Sequence, residues 1–357
     1  MESSQALIER VENLLRTQIA PKATEIDCHP SALQTALQTL GTHSLLALRV
    51  PQAWGGAEVD EFTFRRFQEE IARYSGALAF LQAQHQSAGR LLAQSENESL
   101  KQTYLPNMGS GRVLLGISFA HLRRSQPPVT AIAHPDGYLF NGEAPWVTGY
   151  GFFQSFIGAA VLPNGQAVYG IVPFQTTRQP TGGSVICSEP IALAAMNSTR
   201  TVTVQFQDWF LPNSQVVRVN PISTIATRDR QNVLHQSFFA LGCARAGLDI
   251  LGAAYQVKQL PFLQSAQESL TKELEECRHA IFSASTDHHA FEKNLTLRAW
   301  ALELAVRCAH GAITASGGAA NRINHPAQRV YREALVYTVS GQTTPVMEAT
   351  LIRLVSR

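Results

Sequence analysis

Gly137-Tyr138-Leu139-Phe140-Asn141-Gly142-Glu143-Ala144-Pro145-Trp146-Val147-Thr148 decides the fold, because its short apolar runs, broken by Asn-Gly and Pro, interrupt a chain that is otherwise periodic in the helical sense. Similar runs follow at 155–162 and 167–172, and residues 201–206 alternate, with Val202, Val204 and Phe206 on one face. Together they predict a small β domain between about residues 113 and 219. Within it Trp146 and Thr148 stand on alternate residues of one strand, so both are expected to point the same way.

Outward from this domain the period lengthens. On the amino-terminal side Leu7, Ile8, Val11, Leu14, Leu15 and Ile19 recur at three- and four-residue steps behind Ser3 and Ser4, and helical stretches follow at 32–40, 62–74 and 77–93. Val50-Pro51-Gln52-Ala53-Trp54-Gly55-Gly56 is a Pro- and Gly-rich turn, and Pro106-Asn107-Met108-Gly109-Ser110-Gly111 marks the change of period. On the carboxy-terminal side long apolar-periodic segments cover 239–260, 266–282 and 295–314. The expected class is α+β: a helical domain at 1–111, a central β-barrel or sandwich at 112–225 and a four-helix bundle at 226–357.

Bulk properties narrow the function. Lys and Arg number 29 against 27 Asp and Glu, giving +2 with no basic tract to neutralise a row of phosphates, so nucleic acid is not an expected partner. Charged residues are only 16% against 45% apolar, which points to buried subunit interfaces. Cys28, Cys187, Cys243, Cys277 and Cys308 are odd in number and scattered, as expected for reduced thiols. The amino terminus carries no basic segment before an apolar core, and no apolar run is read as long enough to span a bilayer, so a cytoplasmic, membrane-free protein is expected.

This order of helices, β domain and helices resembles the acyl-CoA dehydrogenase superfamily, and four segments carry the resemblance. Residues 50–56 are similar to its V-P-x-x-Y-G-G turn, and 137–148 to its G-y-x-l-N-G-x-K-x-W-I-T strand pair. Residues 203–212 are similar to its v-x-F-d-d-v-x-V-P strand, and Ser316-Gly317-Gly318 with 329–334 to its G-G-x-G and r-x-y-R-D-a segments. The resemblance implies a flavin against Trp146, Val147 and Thr148, with the indole stacked on the isoalloxazine and the Thr148 hydroxyl donating to flavin N5. It implies further contacts from Ser118 and Ser125, from Gln342 and Thr343, and from Gly317 and Gly318 of a neighbouring subunit; those two glycines equally well end the helix before them. FAD is the implied cofactor, with FMN or an empty site as alternatives, in a homodimer or homotetramer.

The chain departs from that pattern where chemistry is concerned. Dehydrogenation of an acyl thioester needs a carboxylate near the α carbon. The family takes it from a Y-E-G-T segment, or from the first helix after the β domain. Here Ser340 and Gln236 occupy those positions, and neither is a base. His235 is the adjacent titratable group. The family's flavin-phosphate arginine is missing from 255–261, where Lys258 is the remaining cation and lacks the guanidinium's planar two-point grip. His121, Arg123 and Arg124 cluster in the loop that crosses the flavin, positioned to bind cofactor phosphates or an anionic substrate, or simply to form a solvated turn. Asp287, His288 and His289 are adjacent rather than spaced along one helical face, so no metal site is expected. The expected function is a flavin-dependent oxidoreductase acting on an acyl thioester or related small molecule. A two-component flavin monooxygenase served by a partner reductase, and a catalytically silent scaffold, are the alternatives.

Overall fold

A computed structural model describes residues 3–284 and 290–356; Asp287, His288 and His289 lie outside the described residues. Six helices lead: α1 (Ser4–Leu14), α2 (Ala23–Cys28), α3 (Pro30–Thr42), α4 (Glu61–Tyr74), α5 (Gly76–Ala93) and α6 (Glu98–Tyr104). Their starts are written in side-chain caps. Ser3 accepts from the Ala6 amide at 3.2 Å, Asp60 from Thr63 at 2.7 Å and Ser75 from Leu78 at 3.3 Å. The turn at 50–56 needs its glycines: Gly55 has φ +79°, and a Cβ on Gly56 would stand 2.0 Å from the Val50 carbonyl oxygen.

Nine strands follow: β1 (Leu115–Ser118), β2 (Val129–His134), β3 (Gly137–Val147), β4 (Ser155–Val161), β5 (Gln166–Pro173), β6 (Thr177–Arg178), β7 (Ser184–Cys187), β8 (Val202–Pro212) and β9 (Val216–Pro221). They form one sheet in the order β6-β7-β8-β3-β2-β4-β5-β9, with β1 paired in parallel to β4. β3 and β8 are the long central pair, and the alternation of Val202, Val204 and Phe206 buries all three. One face of the sheet shares a core with the leading helices, in which Val50, Leu91, Leu92 and Met108 meet Leu115, Ile157 and Ile171.

Six helices close the chain: α7 (Thr224–Gln231), α8 (Ser237–Lys258), α9 (Pro261–Ala284), α10 (Phe291–Ser316), α11 (Pro326–Val339) and α12 (Thr344–Val355). α8 to α11 pack on one another as the expected bundle, and α8 also lies along α4. The expectation that no apolar run reaches bilayer length requires correction. Val233–Lys258 passes by length and composition, with 67% of its most apolar window buried. Its charges explain why it is a core helix: Arg245 pairs with Glu69 and Glu70, and Asp249 with Arg73, all from α4. All five cysteines are free.

Two buried carboxylates join the layers. Glu333 on α11 accepts from the Gly76 amide at the start of α5 at 3.0 Å and takes Arg329 Nη1 on both oxygens at 2.9 Å. Gly76 admits the carboxylate, since a Cβ there would lie 2.6 Å from Glu333 Cδ. Asp27 accepts from the Met196 amide of the β domain at 2.6 Å and from Arg332 of α11 at 3.1 Å. Replacing Glu333 by Ala leaves Arg329 buried and uncompensated, and is expected to remove about 3–5 kcal/mol of stability, measurable by denaturant unfolding.

His85 of α5 is fully buried, accepts from the Leu115 amide on Nδ1 at 3.0 Å and donates from Nε2 to the Met108 carbonyl at 3.2 Å. Accepting on Nδ1 requires the neutral ring, and burial lowers its pKa to about 4. Burial lowers His121 to about 4 as well. The unfolded chain takes up protons at these sites below its ordinary value of about 6.5 while the native state refuses them, so stability is full above that pH and falls towards pH 4. The expected slope is about 1.4 kcal/mol per pH unit for each imidazole. Comparing unfolding free energies of the native chain and His85→Gln across this window isolates one of the two contributions.

Candidate functional site

β3 does not reach Thr148 as a regular strand. A register shift against β8 between Ala144 and Val147 inserts one extra residue, and Trp146 takes φ +60°. The regular alternation expected through Trp146 and Thr148 is interrupted: Thr148 lies past the end of β3, and Trp146 is 60% exposed, whereas Val147 and Thr148 are buried. A bulge breaks the period of two, and that is the physical reason. Left-handed backbone at a tryptophan costs about 1–3 kcal/mol, a strain typical of places where a side chain is aimed for use. The indole is thereby offered as an open apolar surface at the end of the long central pair.

Behind it, Thr148 Oγ1 lies 3.0 Å from Thr201 Oγ1, the residue just before β8. Two hydroxyls sharing one hydrogen bond leave one proton to donate elsewhere. Ser118 ends β1, a strand in contact with β3, and its buried hydroxyl has no partner. Ser125, by contrast, is exposed in the segment before β2. The basic loop does not act as one unit. His121 turns inward and donates to the Ala159 carbonyl at 3.0 Å, Arg123 grips Asp229 with two bonds of 2.6 and 2.7 Å, and Arg124 remains outside.

The turn after α11 forms a second group. Gly341 has φ +57°, and a Cβ there would stand 3.2 Å from Gln236 Cγ, so the two expected base positions meet in space. Neither can take a proton. The Ser340 hydroxyl donates to the Val336 carbonyl at 3.0 Å, and Gln236 is an amide whose Oε1 is buried without a partner. Arg298 from α10 holds this turn, donating to the carbonyls of Ser340 at 2.8 Å and Gly341 at 3.1 Å, and to Val233 at 3.0 Å. Burial, reinforced by Arg123 and opposed by Asp229, lowers its pKa to about 10, so it stays charged at neutral pH. Gln342 and Thr343 continue from this turn into α12. His235 Nε2 stands 3.6 Å from Glu61 on α4.

Gly317 and Gly318 do not join either group within one chain. Gly317 ends α10 with φ +65°, and Lys258, the cation left in the altered phosphate segment, donates to the Ala315 carbonyl beside it at 2.5 Å. The stretch of helix between Arg298 and this end spans roughly 27 Å at 1.5 Å per residue. A Cβ on Gly318 would meet nothing within 4 Å, so its backbone is open to an approaching group. The two cavities described, of about 850 and 350 Å³, are lined by none of these residues. The larger is lined by the Glu273–Arg307 and Glu303–Arg353 pairs and by the exposed Glu348.

The described residues suit a flavin in part: an exposed indole, a spare hydroxyl proton and an unpartnered buried serine on contacting strands. Residues 1–112 match the family described as acyl-CoA dehydrogenase, N-terminal domain. An acyl-CoA dehydrogenase of Bacillus subtilis (strain 168) is 23% identical, over 94% of this chain and 93% of its own. The chain is thus similar to acyl-CoA dehydrogenases along nearly its whole length. Its fold superposes on a glutaryl-coenzyme A dehydrogenase in complex with glutaryl-CoA with a TM-score of 0.83, at 18% identity, covering 100% of this chain and 96% of that one. A Mycobacterium smegmatis glutaryl-CoA dehydrogenase in complex with FADH2 gives a TM-score of 0.83 at 14% identity, covering 99% and 95%.

Two residues of the site are not evident from the sequence. Thr201 sits one place before an alternating run and looks like its start. Arg298 falls on the same face of its helix as Leu295 and Leu302, and a charge on an apolar face was the available signal. Replacing Arg298 by Leu strands three carbonyls. The expected result is a loss of about 2–4 kcal/mol in unfolding free energy, with amide exchange across 340–343 faster by about tenfold or more.

Proposed function

We propose that the chain is a flavin-dependent oxidoreductase acting on an acyl thioester or a related small substrate, with FAD as cofactor and no carboxylate base. The observation that carries this is Trp146, held in left-handed backbone and 60% exposed beside the Thr148–Thr201 hydroxyl pair. A flavin there supplies redox chemistry that no side chain of the protein provides. Trp146 offers a flat apolar face, the threonine pair a hydrogen-bond donor, and Ser118 an unpaired hydroxyl. Arg298 orders the Ser340–Gly341 turn, from which Gln342 and Thr343 present polar groups. Gly317 and Gly318 complete the site only from a second copy of the chain, because of their distance along α10. Leu335, Val339, Met347, Leu351 and Leu354, exposed on α11 and α12, are the apolar surface such an assembly covers.

A second reading rests on the base positions. With Ser340 bonded to the Val336 carbonyl, Gln236 beside Gly341 and neither able to accept a proton, a two-component flavin monooxygenase, fed with reduced flavin by a partner reductase, requires less of these residues.

Purified protein titrated with FAD and then mixed anaerobically with acyl-CoA thioesters tests both. The expected result is a yellow protein, dimeric or larger by light scattering, whose flavin bleaches slowly or not at all. Ser340→Glu restores a base and is expected to raise the bleaching rate by about 10²–10⁴. Oxygen consumption after chemical reduction of the flavin selects the monooxygenase. A preparation that stays colourless with both FAD and FMN overturns the proposal and leaves a scaffold.

A further inference from the structure

Tyr169 on β5 and Arg218 on β9 are cross-strand partners at a bulge, the ladder shifting between Tyr169 and Gly170. The guanidinium lies 4.7 Å from the ring centroid and hydrogen-bonds the phenol, which is itself 2% exposed. Two more guanidiniums act on the same hydroxyl: Arg228 from α7 and Arg123 from the turn before β2. Arg123 is matched by Asp229. Arg218 and Arg228 have no carboxylate within ion-pair distance among the described residues, and Arg218 Nε is buried with no hydrogen-bond partner.

Three cations against one acid, in a partly buried corner, repel one another. Burial, and after it the charge of Arg228, lowers Arg218 to about 10. A folded chain ordinarily disperses such charges into solvent or gives each a carboxylate. Two uncompensated guanidiniums, planar and rich in donors, instead match an anion carrying two charges and several acceptor oxygens. A single carboxylate would neutralise only one of them.

We infer that Arg218, Arg228 and Arg123, gathered around Tyr169 where β9 passes into α7, bind a phosphate-bearing anion. Asp229 fixes the orientation of Arg123, and the bulge at Tyr169 turns Arg218 towards the shared point. The site does not depend on the flavin reading: Arg218 and Arg228 are not among the residues assigned to the cofactor, and Arg123, a sequence candidate for cofactor phosphates or an anionic substrate, is held here by Asp229. It does adjoin the Ser340–Gly341 turn, because Arg123 and Asp229 both act on Arg298.

Calorimetric titration of the full chain at physiological salt, with inorganic pyrophosphate and separately with adenosine 3′,5′-bisphosphate, tests this. Saturable binding at one site per chain is expected, weakened about tenfold or more in Arg218→Gln and in Arg228→Gln, the energy of one charge-assisted pair. Arg218→Lys, which keeps the charge, should lose less, and Arg178→Gln on β6 should lose nothing. Tighter binding of the bisphosphate assigns the site to a nucleotide-borne phosphate, and equal binding to a free phosphoanhydride; either supports the inference. No saturable heat with either probe, or unchanged affinity in both glutamine variants, overturns it. Melting curves of Arg218→Lys and Arg228→Gln confirm that any loss is not unfolding, Arg228 being exposed.

Discussion

The carboxylate of Glu333 is the constraint on which the arrangement turns. It caps the first amide of α5, pairs with Arg329 on its own helix, and occupies space that only a glycine at position 76 leaves open. Asp27 repeats the device, joining α2 to the β domain through Met196 and to α11 through Arg332. Buried ion pairs add little net stability, but leaving one half unpaired is costly, so such pairs select one arrangement over neighbouring ones. Here they set how the two helical layers meet the sheet, and with it where Trp146 and the Ser340–Gly341 turn lie.

How much of this was legible follows from the range of the interactions. Helices α1, α4 and α5 announce themselves because Ser3, Asp60 and Ser75 cap them locally and their apolar faces repeat. β8 was legible as the alternation of Val202, Val204 and Phe206, although it extends to Pro212 by pairing with β3. The bulge at Trp146 was not, because one inserted residue changes the face of a side chain without changing composition. His121 read as part of a basic loop, yet its ring is drawn inward to the Ala159 carbonyl of β4. Arg298, Arg218 and Glu333 act on partners 42, 49 and 257 residues away, beyond anything a local period encodes.

At the candidate site, chemistry is divided between elements that differ in rigidity. The sheet contributes an indole and hydroxyls held by the ladder and by a bulge. The bundle contributes a turn whose shape is imposed by one buried guanidinium. α4 carries charges into its apolar contact with the bundle: Arg65 is buried with Glu61 and Gln68 of its own helix, and Glu69 is fully buried between Arg245 of α8 and Arg278 of α9. Such charges are paired within the protein, whereas the indole and the arginines around Tyr169 include exposed groups.

The claim that these surfaces serve a flavin is tested most directly by the crystal structure of the protein grown with saturating FAD. The account predicts an isoalloxazine against the Trp146 indole, with the Thr148 hydroxyl in hydrogen-bond reach and Gly317 and Gly318 supplied by a neighbouring copy. Flavin bound elsewhere on the molecule, or none at all with the indole still facing solvent, would contradict it.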